Sequence, residues 1–207
     1  RPGGSAARGP GAVTPKIVAL LNSQSPFIVA RAAHLLGKFR HKKAVPLLCE
    51  KLRGHVNTEV KRQAMAALCK IRDPKSIQAS IDALSSTDST VRTLAAQNLG
   101  YLHAKSAMPR LLDVLAVDPN PDAPDRIAAL LALADIGHTD CLVPAAVRVK
   151  GLGKKDDKAI VYLFQTLSRK LPPEVEAETL MAILDDDSQL LRRFAIQRLG
   201  VLQLPMA

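Results

Sequence analysis

Two columns of residues, a fixed distance apart, recur along this chain of 207 residues and restrict it to one kind of architecture. Ser25, Asn57, Asp88, Asp125, Asp156 and Ser188 form the first, and Gly37, Cys69, Gly100, Gly137, Ser168 and Gly200 stand twelve positions after them. Within each column the intervals are 32, 31, 37, 31 and 32 residues. A period of this length marks a repeat array, whose units bury their apolar faces only by stacking on one another. Ser, Asn and Asp side chains cap the free amides at a helix start. A small residue twelve positions on suits the left-handed turn that ends a helix. Each pair of columns therefore brackets one predicted helix.

The bracketed segments keep helical spacing. In 88–102, Val91, Leu94, Ala95, Leu99 and Leu102 fall on one face at i, i+3, i+4, i+8 and i+11. Leu36, Leu68, Leu99, Ile136, Leu167 and Leu199 stand one residue before the small column. Ala32, Ala64, Ala95, Ala132, Leu163 and Ala195 stand five before it, and the alanines imply helices that approach closely. A second helix precedes each bracketed one. Val45, Leu48, Cys49 and Leu52 hold the i, i+3, i+4, i+7 spacing, as do Met108, Leu111, Leu112 and Leu115. Pro15, Pro46, Pro109 and Pro144 are expected at or inside the first turn of these helices, where a missing amide is tolerated. Sustained alternation and Asn-Gly or Asp-Gly turns are lacking, and aromatics make up 3%, so no strand is expected.

Asp88, Val91, Arg92, Ala95, Ala96, Leu99 and Gly100 read Asp-x-x-Val-Arg-x-x-Ala-Ala-x-x-Leu-Gly. This pattern resembles the HEAT repeat in its short form, named after phycobilisome lyases. Val60, Lys61, Ala64 and Leu68 match it in part, as do Leu191, Arg192, Ala195, Leu199 and Gly200; the stretch 156–168 departs most, with Leu163 and Ser168. The resemblance covers about residues 14–202. It implies an all-α, right-handed α-solenoid of six HEAT-like antiparallel helix pairs. For function it implies less, since such repeats serve scaffolds, lyases and nucleic-acid enzymes. Residues 14–207 are expected to form the solenoid, and 1–13 to be a flexible leader or linker. The chain lacks an initiating Met and ends on the apolar segment from Val201 to Ala207, which suggests a piece of a longer protein or an end that packs on something.

No apolar run approaches the roughly 18 residues of a membrane span, and the first residues lack the apolar core of a signal peptide. Cys49, Cys69 and Cys141 form no metal-type spacing, and so sparse and odd a count fits a reducing compartment, read here as the cytoplasm. The formal net charge of +10 is unevenly placed: residues 1–112 hold 18 Lys/Arg against 5 Asp/Glu, and residues 113–207 hold 11 against 14. Arg40, Lys42 and Lys43 fill one inter-repeat turn, Arg72 and Lys75 the next, and His103 and Lys105 the third. Stacked about 10 Å apart, these residues could form a ladder that tracks phosphates without regard to sequence. The plainer reading is cations favoured at helix C-termini.

Catalytic signals are weak. With no Trp, two Tyr and four Phe, the chain lacks the rings needed for base stacking or for gripping a flipped base. It has no His-Glu pair of the HEAT-repeat hydroxylases, no P-loop and no dinucleotide fingerprint, and its five histidines lack metal-ligand spacing. Asp185, Asp186 and Asp187 read as an acidic turn at a helix start rather than a cation site. No metal and no cofactor is expected. The loops Val117 to Pro124, stiff and acidic, and Lys150 to Lys155, flexible and basic, are insertions of the kind that map to a binding face. The expectation is a non-catalytic scaffold that binds a protein along its inner helices and these loops. Arg62, Thr93 and Arg193 in one row, with His34, Gln97, Gln165 and Gln197 in another, would contact the partner. Nucleic-acid binding through the ladder is the alternative, and a lyase-type enzyme of the HEAT-repeat family is another.

Overall fold

The computed structural model describes residues 10–117, 123–138, 140, 145, 161–163, 165–166, 169–185 and 189–202. Its helices come in pairs. These are α1 (Pro10–Ala19) with α2 (Pro26–Lys38), α3 (Val45–Gly54) with α4 (Thr58–Ile71), and α5 (Ile77–Ala83) with α6 (Ser89–Tyr101). They continue as α7 (Met108–Val117) with α8 (Pro124–Ile136), and α9 (Pro173–Met181) with α10 (Gln189–Leu199). No strand occurs among the described residues, and the fold is an all-α solenoid. α1 begins inside the stretch read as a leader, and Pro15 sits within it rather than in its first turn. Pro46 and Pro109 do fall in the first turns of α3 and α7.

The period places the core correctly. Leu36, Leu68, Leu99 and the residues of the alanine column, Leu163 included, are buried. α2, α4, α6 and α8 pack on one another more extensively than α3 packs on α5, as the inner layer of a curved stack does. Asn98 adds a polar rung that the periodicity did not indicate. Fully buried, its Nδ2 donates to Ser76 Oγ at 3.0 Å and to Ser80 Oγ at 2.9 Å, tying α6 to the start of α5.

The two columns do more varied work than capping and termination. Asn57 accepts from the amides of Glu59 and Val60, and Asp88 from that of Val91. Ser25 makes no side-chain cap, and Pro26 follows it without an amide hydrogen. Asp125 is not a cap, because the longer preceding loop lets α8 start one residue before it. Asp156 and Ser188 lie outside the described residues. Among the described residues of the small column only Gly137 is left-handed (φ 61°). In the first three repeats that conformation falls three residues later, on Arg40, Arg72 and His103, with φ of 49°, 54° and 46°. His41 and Ala104 close the turns by donating to Leu36 and Leu99 carbonyls at 3.0 Å. Gly37 and Gly100 are helical and serve proximity instead. A Cβ on Gly37 would lie 2.6 Å from Ala67 Cα, and one on Gly100 2.9 Å from Ala132 Cα. Cys69 takes the same place in the second repeat, its Sγ donating to the Leu94 carbonyl at 2.9 Å. There α4 and α6 pack more sparsely than α2 with α4 or α6 with α8.

Ion pairs stitch successive repeats. Arg62 Nε donates to Asp88 Oδ2 at 3.1 Å, and Arg92 Nε to Asp125 Oδ2 at 2.6 Å. The hydrogen bond from Arg62 holds the Asp88 carboxyl below the usual aspartate value. A depressed folded-state pKa stabilises above the unfolded value of about 3.9, and that contribution fades as pH falls through the folded one. Urea melts of wild type and Arg62→Ala should therefore differ most at neutral pH and converge in acid.

Candidate functional site on the inner face

The sequence-predicted partner residues divide into two groups. His34 Nδ1 lies 3.3 Å from Gln63 Oε1, Arg62 is committed to Asp88, and Thr93 Oγ1 donates to the Ser89 carbonyl at 2.8 Å. Gln97, Gln165, Arg193 and Gln197 are exposed. The candidate loops fall largely on 118–122 and 146–160, outside the described residues. Arg40, Lys42, Lys43, Arg72, Lys75 and Lys105 are all exposed at the turns that join one repeat to the next. Two rungs of that edge are engaged within the stack. The Arg72 guanidinium lies 4.2 Å over the Tyr101 ring, a favourable cation–π contact. His103 Nδ1 sits 2.8 Å from the Asp135 carbonyl oxygen.

A different row distinguishes the inner face. Six residues past the first column stand Arg31, Gln63, Leu94, Leu131, Tyr162 and Phe194. The row is polar in the first two repeats and apolar from the third onward. Leu131 is 37% and Tyr162 43% exposed, and Leu94 and Phe194 are half-buried. Tyr162 OH donates to Asp135 Oδ1 at 3.2 Å, and the Asp135 charge pushes the phenol up, so Tyr162 stays a proton donor. Arg169 is exposed, and Lys170 Nζ, donating to the Gly137 carbonyl at 3.0 Å, adds a second cation at this margin. The face thus combines an apolar floor, a phenol–carboxylate pair and a basic rim. Helical spacing alone assigned such residues to the core; placing the six repeats in register is the signal that would have separated this row.

The described cysteines are not nucleophiles. Burial pushes the Cys69 thiol up to about 12 and raises that of Cys49 as well. Against an ordinary thiol near 8.5, a value near 12 cuts the thiolate fraction at pH 8 by roughly a thousandfold. Iodoacetamide labelling followed by peptide mapping should therefore show Cys69 inert in the folded chain and reactive in urea. Among the described residues no three His, Cys, Asp or Glu side chains gather as a metal site, and no helix is long and apolar enough to cross a membrane.

The model of HEAT repeats matches residues 14–100 and 45–134, more than half of the chain. The chain belongs to the HEAT-repeat family. Over 107 residues it is 36% identical to the phycocyanobilin lyase subunit alpha of Synechococcus elongatus, which covers 48% of this HEAT-repeat chain and 37% of that protein. The chain thus spans little more than a third of the length of that curated relative. Among solved structures it is similar to the complex of CpcE and CpcF of phycocyanin lyase from Nostoc sp. PCC7120. The identity is 28% and the TM-score 0.66, with 98% of this chain and 81% of that chain covered. An engineered protein superposes with a TM-score of 0.62 at 18% identity, over 92% of this chain and 96% of its own, which shows the fold alone.

These likenesses correct the functional expectation. A non-catalytic scaffold followed from the lack of catalytic motifs, and it was expected not to be an enzyme. The relatives by sequence and by structure are lyase subunits, and they favour the lyase alternative. The physical reason for the miss is that the repeat residues encode stacking, so a function carried by the stacked surface leaves no local motif.

Proposed function

We propose that this HEAT-repeat chain is a subunit of a bilin lyase that works with a second protein chain. The likeness to a phycocyanin lyase complex over nearly the whole chain carries this reading. The inner face supports it chemically. A linear tetrapyrrole is a flat, conjugated, largely apolar molecule with anionic propionates. Leu94, Leu131, Tyr162 and Phe194 offer a floor for its rings, and Arg169 and Lys170 offer charges for its carboxylates. Joining a thiol to such a pigment forms one carbon–sulfur bond and moves the thiol hydrogen to the pigment. On this reading the acceptor protein supplies the thiol; among the described residues Cys49 and Cys69 are buried, with their thiols pushed up. Tyr162, held protonated beside Asp135, is placed to supply a proton at the floor of this face.

The test is co-expression of the chain with a partner lyase subunit, apo-phycocyanin and phycocyanobilin, reading covalent pigment by zinc-enhanced fluorescence in a denaturing gel. Pigmented acceptor above the level without this chain is expected. Leu131→Glu, which places a charge on the exposed floor, should abolish attachment while the circular dichroism stays native. Attachment that is unchanged when the chain is left out would overturn the reading.

A further inference from the structure

Two clefts lie side by side on the edge of the solenoid where the outer helix of each repeat turns into the inner one, opposite the left-handed turns. The larger, of about 430 Å³, is walled by Leu84 and Val114 and by Arg92, Arg110, Asp113 and Asp125. The smaller, of about 350 Å³, lies one repeat earlier and includes Leu52, Lys61, Asp82 and Val91. Ser85 and Ser86 line both, so the two adjoin.

One atom in the larger cleft is unaccounted for by the fold. Asp125 is 2% exposed; its Oδ2 accepts from Arg92, and its Oδ1 has no hydrogen-bond partner. A buried acceptor left without a donor is strongly disfavoured and calls for a partner from outside. The resident cations are already engaged. Arg92 Nη1 donates to the Ser86 and Thr87 carbonyls at 2.8 and 3.2 Å. Arg110 donates to Ser85 Oγ and lies 3.6 Å from Asp113. Two arginines balance two aspartates here, so a neutral N–H donor suits the cleft better than a further bare cation. In the smaller cleft, Lys61 occupies the repeat position of Arg92, and its ammonium makes no ion pair among the described residues.

We propose that the two clefts together bind an extended peptide segment of a partner protein, whose main-chain N–H donates to Asp125 Oδ1 and whose acidic side chain pairs with Lys61. Adjacent repeats lie about 10 Å apart and an extended chain advances about 3.3 Å per residue, so roughly six residues span both clefts. Alternate side chains of such a segment would meet Leu52, Leu84 and Val114, and the others would face the charged rim. This surface is separate from the inner face, so the inference stands whether or not the chain is a lyase subunit.

The experiment is an NMR titration of the ¹⁵N-labelled full chain with an acetylated and amidated hexapeptide of alternating leucine and glutamate. Saturable shifts at Ser85, Ser86 and Val114 are expected. Asp125→Asn should weaken binding about tenfold, and Lys61→Ala should weaken it and flatten its salt dependence. Val114→Glu, which leaves the Arg92–Asp125 pair intact, should abolish binding with a native spectrum, and it decides the matter if Asp125→Asn fails to fold. No saturable shift, shifts confined to the inner face, or full affinity in Val114→Glu would overturn the proposal. So would saturation of the same amides by methylguanidinium alone, which would make the cleft a cation pocket.

Discussion

Replacing Arg92 with alanine is expected to destabilise the chain by about 3–5 kcal/mol, the range for stripping one partner from a buried ion pair. Asp125 is the reason. With its side chain only 3% exposed, its Oδ2 accepts from Arg92 Nε at 2.6 Å, and its second oxygen already lacks a donor. Removing the guanidinium strips the buried carboxylate of this hydrogen bond and also frees the Ser86 and Thr87 carbonyls. The neighbouring pair, Arg62 with Asp88, lies nearer solvent, and its loss should be milder. Urea denaturation of both single variants at pH 7 measures the contrast. The double change Arg92→Ala with Asp125→Ala should recover part of the loss, because the orphaned charge is gone. Equal, small effects at both pairs would show that water reaches Asp125.

Leu99→Ala should cost about 2–5 kcal/mol, the range for emptying a well-packed leucine site. Leu99 is fully buried in α6, one residue before the glycine that lets α8 approach, so the surrounding helices cannot easily collapse into the space. Lys105→Ala, at an exposed turn, is the control and should stay within about 0.5 kcal/mol of wild type. A similar midpoint for both variants in chemical denaturation would mean that the repeat register is misplaced.

The period made the stack legible because each repeat must bury the same positions. The alanine column and Leu36, Leu68, Leu99 and Ile136 of the leucine column are buried where it placed them. The helix ends were less legible, since glycine answers two needs that look alike in a sequence. At Gly137 it relieves a left-handed backbone, and at Gly37 and Gly100 it admits a neighbouring helix. Asp125 was misread because the longer loop before it moved the helix start while the 31–37-residue spacing still kept it in its column. The inner-face row was hidden for another reason. Leu94 and Leu131 both satisfy helical periodicity as core residues do, and only the stack shows Leu131 exposed while Leu94 packs half-buried against the core. Asp135 and Tyr162 lie 27 positions apart in different repeats, a separation that no local motif can report.

The single cysteine in the glycine column has a mechanical consequence. A stack of helices bends where its layers touch least, and among the inner helices α2, α4, α6 and α8 that place is the seam between α4 and α6, with tight glycine contacts on either side. Load or ligand strain should therefore concentrate at this seam, with the first two repeats swinging as one body against those that follow. Cys69→Gly would stiffen the rod by letting those helices close, and cross-links between the two bodies would report a narrower spread of distances.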